Sequence, residues 1–430
     1  MFPKATNMKR LLSFLLILMF SLSALGQTMP PDADPKLWAQ ALKIHKKAII
    51  IDGHNDITGP MMDQDLNLAT DTRGMLQLGG DPIHTDINRW KAGGMTGQFM
   101  SIYVSGSTLR TGGSMRRAME LIDVTNREAE RHEDLVMCTT AAEIRRAKKQ
   151  NKICLLMGIE GGYAIENSLY ALRNFYRLGV RYMTLTHNVT HDWADAHGDE
   201  KRNNGLSDFG KEVVREMNRL GILIDISHVS DKVMHDALDI TKAPIIASHS
   251  GARGVSNHTR NVPDDVLKRL PQNGGVIMVV FYPAFLDERT AKEQSERSAR
   301  LRDQIAALRE RHKDDDAAFY AARNKLYEAN PIYIADYKRI VDHIDHIKKV
   351  AGIEHVGIGS DYDGVPFLNP PMKGAEDLPL VTYEMLRRGY TEKEILMVLG
   401  GNMLRAMEQA ERVARGTRTS ADGSLMKLKK

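Results

Sequence analysis

Eight apolar segments recur along the chain, and polar, helix-like stretches separate them. Several of these segments are apolar throughout instead of alternating with polar residues, which is typical of strands buried on both faces of a parallel sheet. We therefore predict eight parallel strands, at residues 48–52, 95–104, 153–160, 182–187, 223–227, 244–249, 276–282 and 356–361.

The stretches between the segments carry apolar residues at helical spacing. Ile340 and Ile344, for example, lie on one face of a predicted helix. Thr391 and Glu394 form a capping box before the last strong helix, which we expect to run toward Arg412. Strands that alternate with helices favour an α/β fold, a (β/α)8 TIM-type barrel, over an open doubly wound sheet.

Residues 287–330 do not fit a minimal barrel, because they are rich in charged residues and alanine and hold few bulky apolar ones. Leu301, Ile305 and Leu308 have helical spacing, which predicts a helical hairpin inserted after the seventh strand. Active sites of such barrels lie at the carboxyl ends of the strands. The insertion is therefore either an extension on the surface of the barrel without a role at the site, or a lid or subunit contact beside an active site.

Segments outside the barrel are predicted at both ends of the chain, and the barrel itself is assigned to residues 27–415. Residues 1–26 combine a basic start, a short apolar run and the small-residue sequence Ala24-Leu25-Gly26, which is the pattern of a cleaved export signal. Residues 416–430 form a basic tail that we expect to be disordered. These features predict an exported protein, periplasmic or extracellular, with no stable membrane span after cleavage.

The net charge of +4 is carried by the ends of the chain. Residues 1–26 carry +3 and residues 412–430 carry +5, so the remainder has a net charge of −4. Proteins that bind nucleic acid usually present a basic face. The charge distribution therefore argues against nucleic acid as a partner.

Cys138 and Cys154 are the only two cysteines, too few for a disulfide scaffold. Cys154 lies in the apolar run 153–157, which favours a small buried core residue. An oxidising compartment would allow a bridge to Cys138, but we expect the buried, unbridged form.

Six of the predicted strands end in residues that can bind a metal ion. The first is followed by His54 and Asp56, which are two positions apart, so on extended chain both side chains point to the same side. The third ends in Glu160 before two glycines, which let a ligand approach the backbone closely. The other four ends carry His187, His228, His249 and Asp361.

Each of these residues alone is a weak signal, since a histidine or carboxylate at a strand end usually belongs to a hydrogen bond or salt bridge. Gathered at one mouth of a barrel, they would repel one another and be poorly solvated without a cation. Nitrogen and oxygen ligands without cysteine suit zinc or a similar divalent ion. Five or more ligands indicate two ions that share a bridging carboxylate and a bridging hydroxide, about 3.5–4 Å apart.

The motifs around these residues follow one another in a fixed order. They are Asp52-Gly53-His54-Asn55-Asp56, Gly158-Ile159-Glu160-Gly161, Ile226-Ser227-His228, Ser248-His249-Ser250, Arg260-Asn261-Val262-Pro263-Asp264 and Gly357-Ile358-Gly359-Ser360-Asp361-Tyr362-Asp363-Gly364. Together they resemble the membrane (renal-type) dipeptidases of the metallo-dependent hydrolase superfamily. The resemblance implies a barrel with two Zn²⁺ per chain, hydrolysis of free dipeptides, including some with a C-terminal D-residue, and a homodimer.

The same resemblance implies a role for each matching residue. The implied metal ligands are His54 and Asp56 for one zinc ion, His228 and His249 for the other, and Glu160 for both. His187 and Asp361 would complete the catalytic set with Glu160, His187 near the scissile carbonyl and Asp361 as a proton shuttle beside the bridging water. Both would contact the substrate, and Arg260 would receive the dipeptide carboxylate as a planar, bidentate donor.

Two other functions are open. The first is a different reaction on the same binuclear barrel, such as amide hydrolysis of a non-peptide or tailoring of a peptide metabolite. Arg260 argues against it, because a substrate without a free carboxylate would not need this residue. The second is a non-enzymatic binding protein on a decayed barrel, but such a protein would be expected to lack at least one of Glu160, His228 and Asp361.

Four further histidines are assigned no chemistry. His191 and His197, in the loop after the fourth strand, are candidates for the lining of the cleft. His343 and His346 are three positions apart on the helix before the last strand, and we expect them at its rim.

Overall fold

The computed structural model describes residues 29–417, and a parallel sheet of nine strands forms the centre of that part of the chain. The strands are β1 Ile50–Asn55, β2 Met95–Tyr103, β3 Leu135–Met137, β4 Ile153–Glu160, β5 Val180–Thr184, β6 Leu223–Asp225, β7 Ile245–Ser250, β8 Val276–Val279 and β9 Val356–Ile358. Eight of them close into a barrel in the order β1-β2-β4-β5-β6-β7-β8-β9, because β2 pairs with β4 and β9 pairs with β1. The predicted (β/α)8 barrel is confirmed.

Helices connect the strands. The α-helices within residues 29–417 are α1 Pro35–Lys47, α2 Thr58–Asp63, α3 Ile87–Ala92, α4 Thr108–Thr111, α5 Ser114–Arg131, α6 Ala141–Lys149, α7 Leu169–Arg177, α8 Asp208–Leu220, α9 Asp231–Ile240, α10 Asp264–Leu267, α11 Leu270–Asn273, α12 Pro283–Leu286, α13 Glu288–Arg311, α14 Asp316–Glu328, α15 Lys338–Ala351, α16 Pro379–Arg387, α17 Glu392–Leu396 and α18 Asn402–Thr417. The predicted apolar face of α15 is buried at Ile340, Ile344 and Ile347, and this helix packs on β8 and β9. The apolar stripe therefore fixes how α15 covers the barrel.

The charged segment after barrel strand β8 is the predicted helical insertion. Helix α13 and helix α14 form an antiparallel pair whose buried contacts are few, Leu301 on α13 and Phe319 on α14 among them. Asp287 caps α13 by accepting a hydrogen bond from the backbone N–H of Thr290, at 2.9 Å. Most of the remaining surface of α13 is charged and exposed, so its apolar positions are confined to a few residues such as Leu301 and Ile305.

Strand β3 was not predicted, and the disulfide beside it was the less favoured of the two states considered for the cysteines. The three residues of β3 pair with the first three residues of β4, and they lie outside the closed barrel. Cys138 follows β3 directly and is bonded to Cys154 of β4. The expectation that the cysteines stay unbridged is therefore wrong, because the pairing of β3 with β4 brings two buried residues, 16 positions apart in sequence, side by side.

The last helical region is interrupted instead of continuous. The capping box of Thr391 and Glu394 is present and begins α17, but a π-helical turn at Met397–Gly401 separates α17 from α18. At Gly400 a Cβ atom would lie 2.3 Å from the carbonyl oxygen of Ile49, which immediately precedes β1. The break therefore lets the backbone approach the start of the first barrel strand closely.

No helix within residues 29–417 is both long enough and apolar enough to cross a membrane. The segment predicted as an export signal, residues 1–26, lies outside the described residues. So does the predicted basic tail, except for Gly416 and Thr417, which end α18.

Candidate active site

The carboxyl ends of the barrel strands surround a cavity of about 660 Å³. The predicted site residues that line it are Asp56, Glu160, His187, His228, His249, Arg260 and Asp361. His54 is fully buried directly beside them. All eight residues singled out in the sequence thus come together, because parallel strands end at the same edge of a barrel.

Glu160, the last residue of β4, faces two different groups of histidines. Its Oε2 atom lies 3.4 Å from His54 Nε2, whereas its Oε1 atom lies 3.0 Å from His228 Nε2 and 3.4 Å from His249 Nε2. His187 Nε2 is 3.9 Å from Oε1. Burial raises the pKa of this carboxyl, but the surrounding imidazoles outweigh burial and hold the pKa well below its usual range.

The imidazole of His54 is held by its other ring nitrogen. His54 Nδ1 lies 2.8 Å from the hydroxyl of Tyr182, which donates to the carbonyl oxygen of Gly53 at 3.1 Å. Because that hydroxyl has one hydrogen, it accepts from Nδ1–H, which leaves Nε2 as the nitrogen that can bind a metal ion. His54 Nε2 is buried, makes no hydrogen bond within residues 29–417, and lies 3.2 Å from Asp56 Oδ2.

Gly158 of β4 makes this arrangement possible. A Cβ atom at Gly158 would lie 2.0 Å from the ring of Tyr182, so only glycine lets the ring lie flat against β4. Tyr182 is fully buried there, and its hydroxyl reaches the carboxyl end of β1.

The nitrogens of His228 and His249 face each other. The two Nε2 atoms are 2.9 Å apart. The Nδ1 atom of His228 lies 2.9 Å from Asn188 Oδ1, and that of His249 lies 2.8 Å from Ser248 Oγ. Both partners accept a hydrogen bond from the Nδ1–H group. Asn188 Oδ1 is an amide oxygen without a hydrogen, and Ser248 Oγ already donates its only hydrogen to Asp225 at 2.6 Å. Both Nε2 atoms therefore carry lone pairs toward each other and toward Glu160.

Two buried carboxylates order the loops that carry these ligands. Asp225 accepts hydrogen bonds from Ser248 Oγ and from Thr184 Oγ1, at 2.6 and 2.5 Å. Asp52 accepts from the backbone N–H and the hydroxyl of Ser360, beside Asp361. Burial raises the pKa of Asp52 to about 6, although the bonds from Ser360 oppose the shift. The candidate metal-binding residues are thus attached to a second layer of polar groups.

Arg260 brings a buried cation to the cavity. Its guanidinium donates to the carbonyl oxygen of His249 at 3.1 Å and to Ser250 Oγ at 3.4 Å. Its Nε atom has no hydrogen-bond partner within residues 29–417. Burial lowers the pKa of Arg260 to about 10, so the side chain stays charged near neutral pH. An anionic group entering the cavity would find a largely desolvated positive charge.

Asp361 and His228 occupy strained backbone conformations. Their φ angles are +63° and +67°, in the left-handed region that bulky residues rarely adopt. Burial first, and the neighbouring Asp56 and Glu160 next, raise the pKa of Asp361 well above its usual range. Such strain is typical of functional sites, where surrounding structure holds a side chain in place.

The other histidines do not all lie where the sequence predicts them. His197 lines the cavity, and its Nε2 atom lies 3.0 Å from Asn188 Oδ1. His191 is buried instead and donates to the carbonyl oxygen of Leu185. His343 is fully buried, not at the rim, because Nε2 donates to Leu286 and Nδ1 accepts from the backbone of Ala252.

Sequence reasoning did not find the residues that orient the ligands. Tyr182, Asn188, Ser248 and Asp225 touch the ligand histidines or their partners, but none stands at a position with a metal-binding pattern of its own. Asp225 had a usable signal, since it is a carboxylate inside a buried apolar strand and must therefore be hydrogen-bonded.

The residues present fit a metal centre. The clusters that could each hold an ion are His54 with Asp56 and Glu160, Glu160 with His228 and His249, and His54 with His249 and Asp361. Burial lowers the pKa of His228 and of His249 well below the usual range, so both rings are neutral. The Nε2 lone pairs of these two rings lie 2.9 Å apart and repel each other, and a cation between them would remove that repulsion.

Solved structures share this fold. The probable dipeptidase PvdM from Pseudomonas aeruginosa is 24% identical, with a TM-score of 0.72 over 89% of this chain and 100% of that one. A metallo peptidase from Rhodobacter sphaeroides, solved with a phosphinate mimic of the dipeptide L-Ala-D-Ala, is 24% identical, with a TM-score of 0.66 over 84% of this chain and 99% of that one. At this identity the similarity establishes the fold.

The family is established by the sequence match. The profile of the membrane dipeptidases (peptidase family M19) matches residues 38–421, which is most of the chain and includes every site residue described above. The protein therefore belongs to the membrane dipeptidase family and is a metallo-dipeptidase.

Proposed function

We propose that this enzyme hydrolyses free dipeptides with two zinc ions that share Glu160. The observation that carries the proposal is the position of the two carboxylate oxygens of this residue. One oxygen faces His54 and the other faces His228 and His249, at distances of 3.0–3.4 Å. A carboxylate with a separate set of nitrogen ligands at each oxygen supports a bridging role between two ions.

His54 and Asp56 would hold one ion, and His228 and His249 would hold the other. When bound, two zinc ions would lower the pKa of a shared water, so that hydroxide is available near neutral pH. The chain's part is to keep the Nε2 atoms of all three histidines directed inward. The bonds from their Nδ1 atoms do this before any ion arrives, which reduces the reorganisation that binding requires.

Arg260 would select substrates with a free C-terminal carboxylate. Its charge is buried, and the unpartnered Nε atom leaves hydrogen-bonding capacity for an incoming anion. A longer peptide would place an uncharged amide at the position where the guanidinium would otherwise bind a carboxylate. The buried charge of Arg260 would then stay unpaired, which is energetically unfavourable. The enzyme would therefore favour dipeptides over tripeptides. A C-terminal residue of either configuration, including a D-residue, would present the same carboxylate.

His187 and Asp361 would act on the reacting atoms. His187 lines the cavity beside Glu160, and burial lowers its pKa, so its neutral ring can donate one hydrogen bond to a developing oxyanion. Asp361, held at the cavity by its left-handed backbone, would accept the proton of the nucleophile and return it to the leaving amine.

Hydrolysis of another amide on the same metal centre is the second candidate. The cavity of about 660 Å³ has room for substrates other than dipeptides. Arg260 favours the first candidate, because a buried guanidinium with spare hydrogen-bonding capacity suits a substrate that carries a carboxylate.

Export is supported by the disulfide. Disulfide bonds persist in oxidising compartments and are rare in the cytosol, and Cys138–Cys154 is buried within the barrel domain. Together with the signal-like pattern of residues 1–26, this supports a protein that works in the periplasm or outside the cell.

The test uses the chain from residue 27 onward, with L,L- and L,D-dipeptides, matching tripeptides and N-acetyl-dipeptides. Amino-acid release is followed before and after chelation and after zinc is restored, and bound metal is counted by elemental analysis. We expect zinc-dependent cleavage of free dipeptides and two zinc ions per chain. Glu160→Gln should lose both, while Glu133→Gln, an exposed carboxylate outside the site, should lose neither. Bound zinc without dipeptide cleavage would support the second candidate instead.

A further inference from the structure

The insertion touches the cavity lining from two sides. Gln294 on α13 is bonded to the hydroxyl of Tyr282, with Gln294 Nε2 donating at 2.7 Å and the hydroxyl donating to Gln294 Oε1 at 3.0 Å. Asn324 on α14 donates to the carbonyl oxygen of Gly80 at 2.7 Å, in the loop that carries Gln77. Tyr282 and Gln77 both line the cavity. The insertion is thus connected to the site by hydrogen bonds and does not merely cover the surface.

Tyr282 belongs to an aromatic wall beside Arg260. Its ring contacts Phe285 edge to face at 4.8 Å and Phe367 at 5.6 Å. The guanidinium of Arg260 lies 5.2 Å from the ring centre of Phe285. Tyr282 and Phe285 are half-buried, so part of each ring is open to the cavity. An apolar surface therefore adjoins the cation.

The chemistry of a dipeptide decides what would meet this wall. The side chain of the C-terminal residue and its carboxylate are bonded to the same carbon atom. If Arg260 receives the carboxylate, the side chain must lie within a few ångströms of it. The ring of Phe285 lies beside Arg260 at this point, and the ring of Tyr282 packs against Phe285. Aromatic rings favour apolar and aromatic neighbours over hydrated charged ones.

We propose that Gln294 is a positioning residue for specificity. By holding the hydroxyl of Tyr282, it fixes the aromatic wall against which the side chain of the C-terminal residue packs. The enzyme would then prefer dipeptides with an aromatic or large apolar residue at the C-terminal position. This inference rests on the proposed dipeptidase function and assigns a role to the insertion within it.

The structure also indicates why the hydroxyl of Tyr282 needs Gln294 to hold it in place. It immediately precedes α12, a single helical turn of four residues, and neither of its hydroxyl contacts comes from the barrel strands. Without Gln294 the ring would keep its contacts with Phe285 and Phe367 but lose the bonds that fix its outer end. The wall would then be less well ordered in the free enzyme. Ordering it when the substrate binds would cost free energy, so the substrate would bind more weakly.

The experiment compares Gln294→Met with Gln294→Glu in the zinc-loaded enzyme. Methionine matches the length of glutamine but cannot bond the hydroxyl, whereas glutamate still accepts from it. Gln304→Met, at an exposed position further along α13, is the matched control. For each protein, kcat and KM are measured with L-Ala-Gly and with L-Ala-Phe in both configurations of the phenylalanine, and folding is checked by Tm and zinc content.

We expect Gln294→Met to lower the preference for phenylalanine over glycine by about three- to ten-fold, the range that one aromatic contact supplies. The change should appear in KM, while kcat for L-Ala-Gly stays within about two-fold of wild type. Gln294→Glu and Gln304→Met should keep the wild-type preference. An unchanged preference in a folded, zinc-loaded Gln294→Met enzyme overturns this inference alone. If the wild-type enzyme cleaves no dipeptide, the proposed function fails and this inference fails with it.

Discussion

The hydroxyl of Tyr182 lies 2.8 Å from His54 Nδ1, although 128 residues separate the two in sequence. Its single hydrogen goes to the carbonyl oxygen of Gly53, so the oxygen accepts from the imidazole. This directs His54 Nε2 toward Asp56 and Glu160. If His54 binds a metal ion as proposed, a buried phenol takes the place that a carboxylate often has behind a metal-binding histidine.

Removing this hydroxyl should weaken metal binding without abolishing the fold. We expect Tyr182→Phe to lower metal affinity by about 10- to 100-fold, the effect typical of losing a partner behind a ligand. Competition with a calibrated chelator measures the affinity, and activity should return at saturating zinc. Tyr170→Phe, on the exposed side of α7, is the control. Unchanged affinity in a folded Tyr182→Phe enzyme would show that the phenol does not orient His54.

Arg260 should set the requirement for a free carboxylate. We expect Arg260→Met to lower kcat/KM for a free dipeptide by at least about 30-fold, the lower end for removing one partner of a buried charge pair. The variant should also lose discrimination between a dipeptide and its C-terminal amide, since neither would meet a cation. Arg145→Met, which breaks an exposed ion pair with Glu408 outside the cavity lining, should change the rate less than two-fold. If discrimination survives in Arg260→Met, another residue recognises the carboxylate.

The disulfide should stabilise the folded protein but should not affect catalysis or metal binding. It closes a loop of 16 residues, for which the chain-entropy argument gives about 3 kcal/mol. Cys154 is six residues before Glu160 on β4, which corresponds to about 20 Å along a strand. We expect the double variant Cys138→Ala/Cys154→Ala to have a lower Tm by calorimetry and wild-type activity at 25 °C. Loss of bound zinc in the variant would contradict this separation.

Acid should destabilise the folded protein through a histidine far from the metal centre. Burial lowers the pKa of His45 to about 4, although its bond to the carbonyl oxygen of Gly93 opposes the shift. The unfolded chain, with a pKa near the ordinary 6.5, therefore binds the proton first as the pH falls. The stabilisation is complete above pH 6.5 and is lost between about pH 6.5 and 4.

The expected loss attributable to His45 is about 2 kcal/mol at pH 5. It is measured as the free energy of unfolding in urea at pH 7.5 and pH 5, for the wild type and for His45→Gln. Both proteins share the same metal site, so the difference between their pH dependences isolates His45. Equal pH dependences would mean that His45 is not neutral in the folded protein.

The barrel and the meeting of its candidate ligands at one mouth could be predicted because both depend on local pattern. Buried parallel strands are apolar throughout, so the runs were visible without knowing their neighbours. Once the strands are parallel, their carboxyl ends must meet, and His54, Glu160, His228 and His249 follow from their places at those ends. Strand β3 escaped prediction because three residues at the edge of a sheet carry too little pattern.

The sequence by itself therefore determined the fold class and the family, and it placed the candidate metal ligands at the ends of short strand segments. Only the tertiary structure decided which oxygen of Glu160 faces which histidine, that Tyr182 holds His54, that the cysteines are bridged, and that Gln294 reaches Tyr282. The physical reason is that these contacts join residues from different elements of the fold. Spacing along the chain does not encode such contacts, because they depend on how closely the packed elements approach.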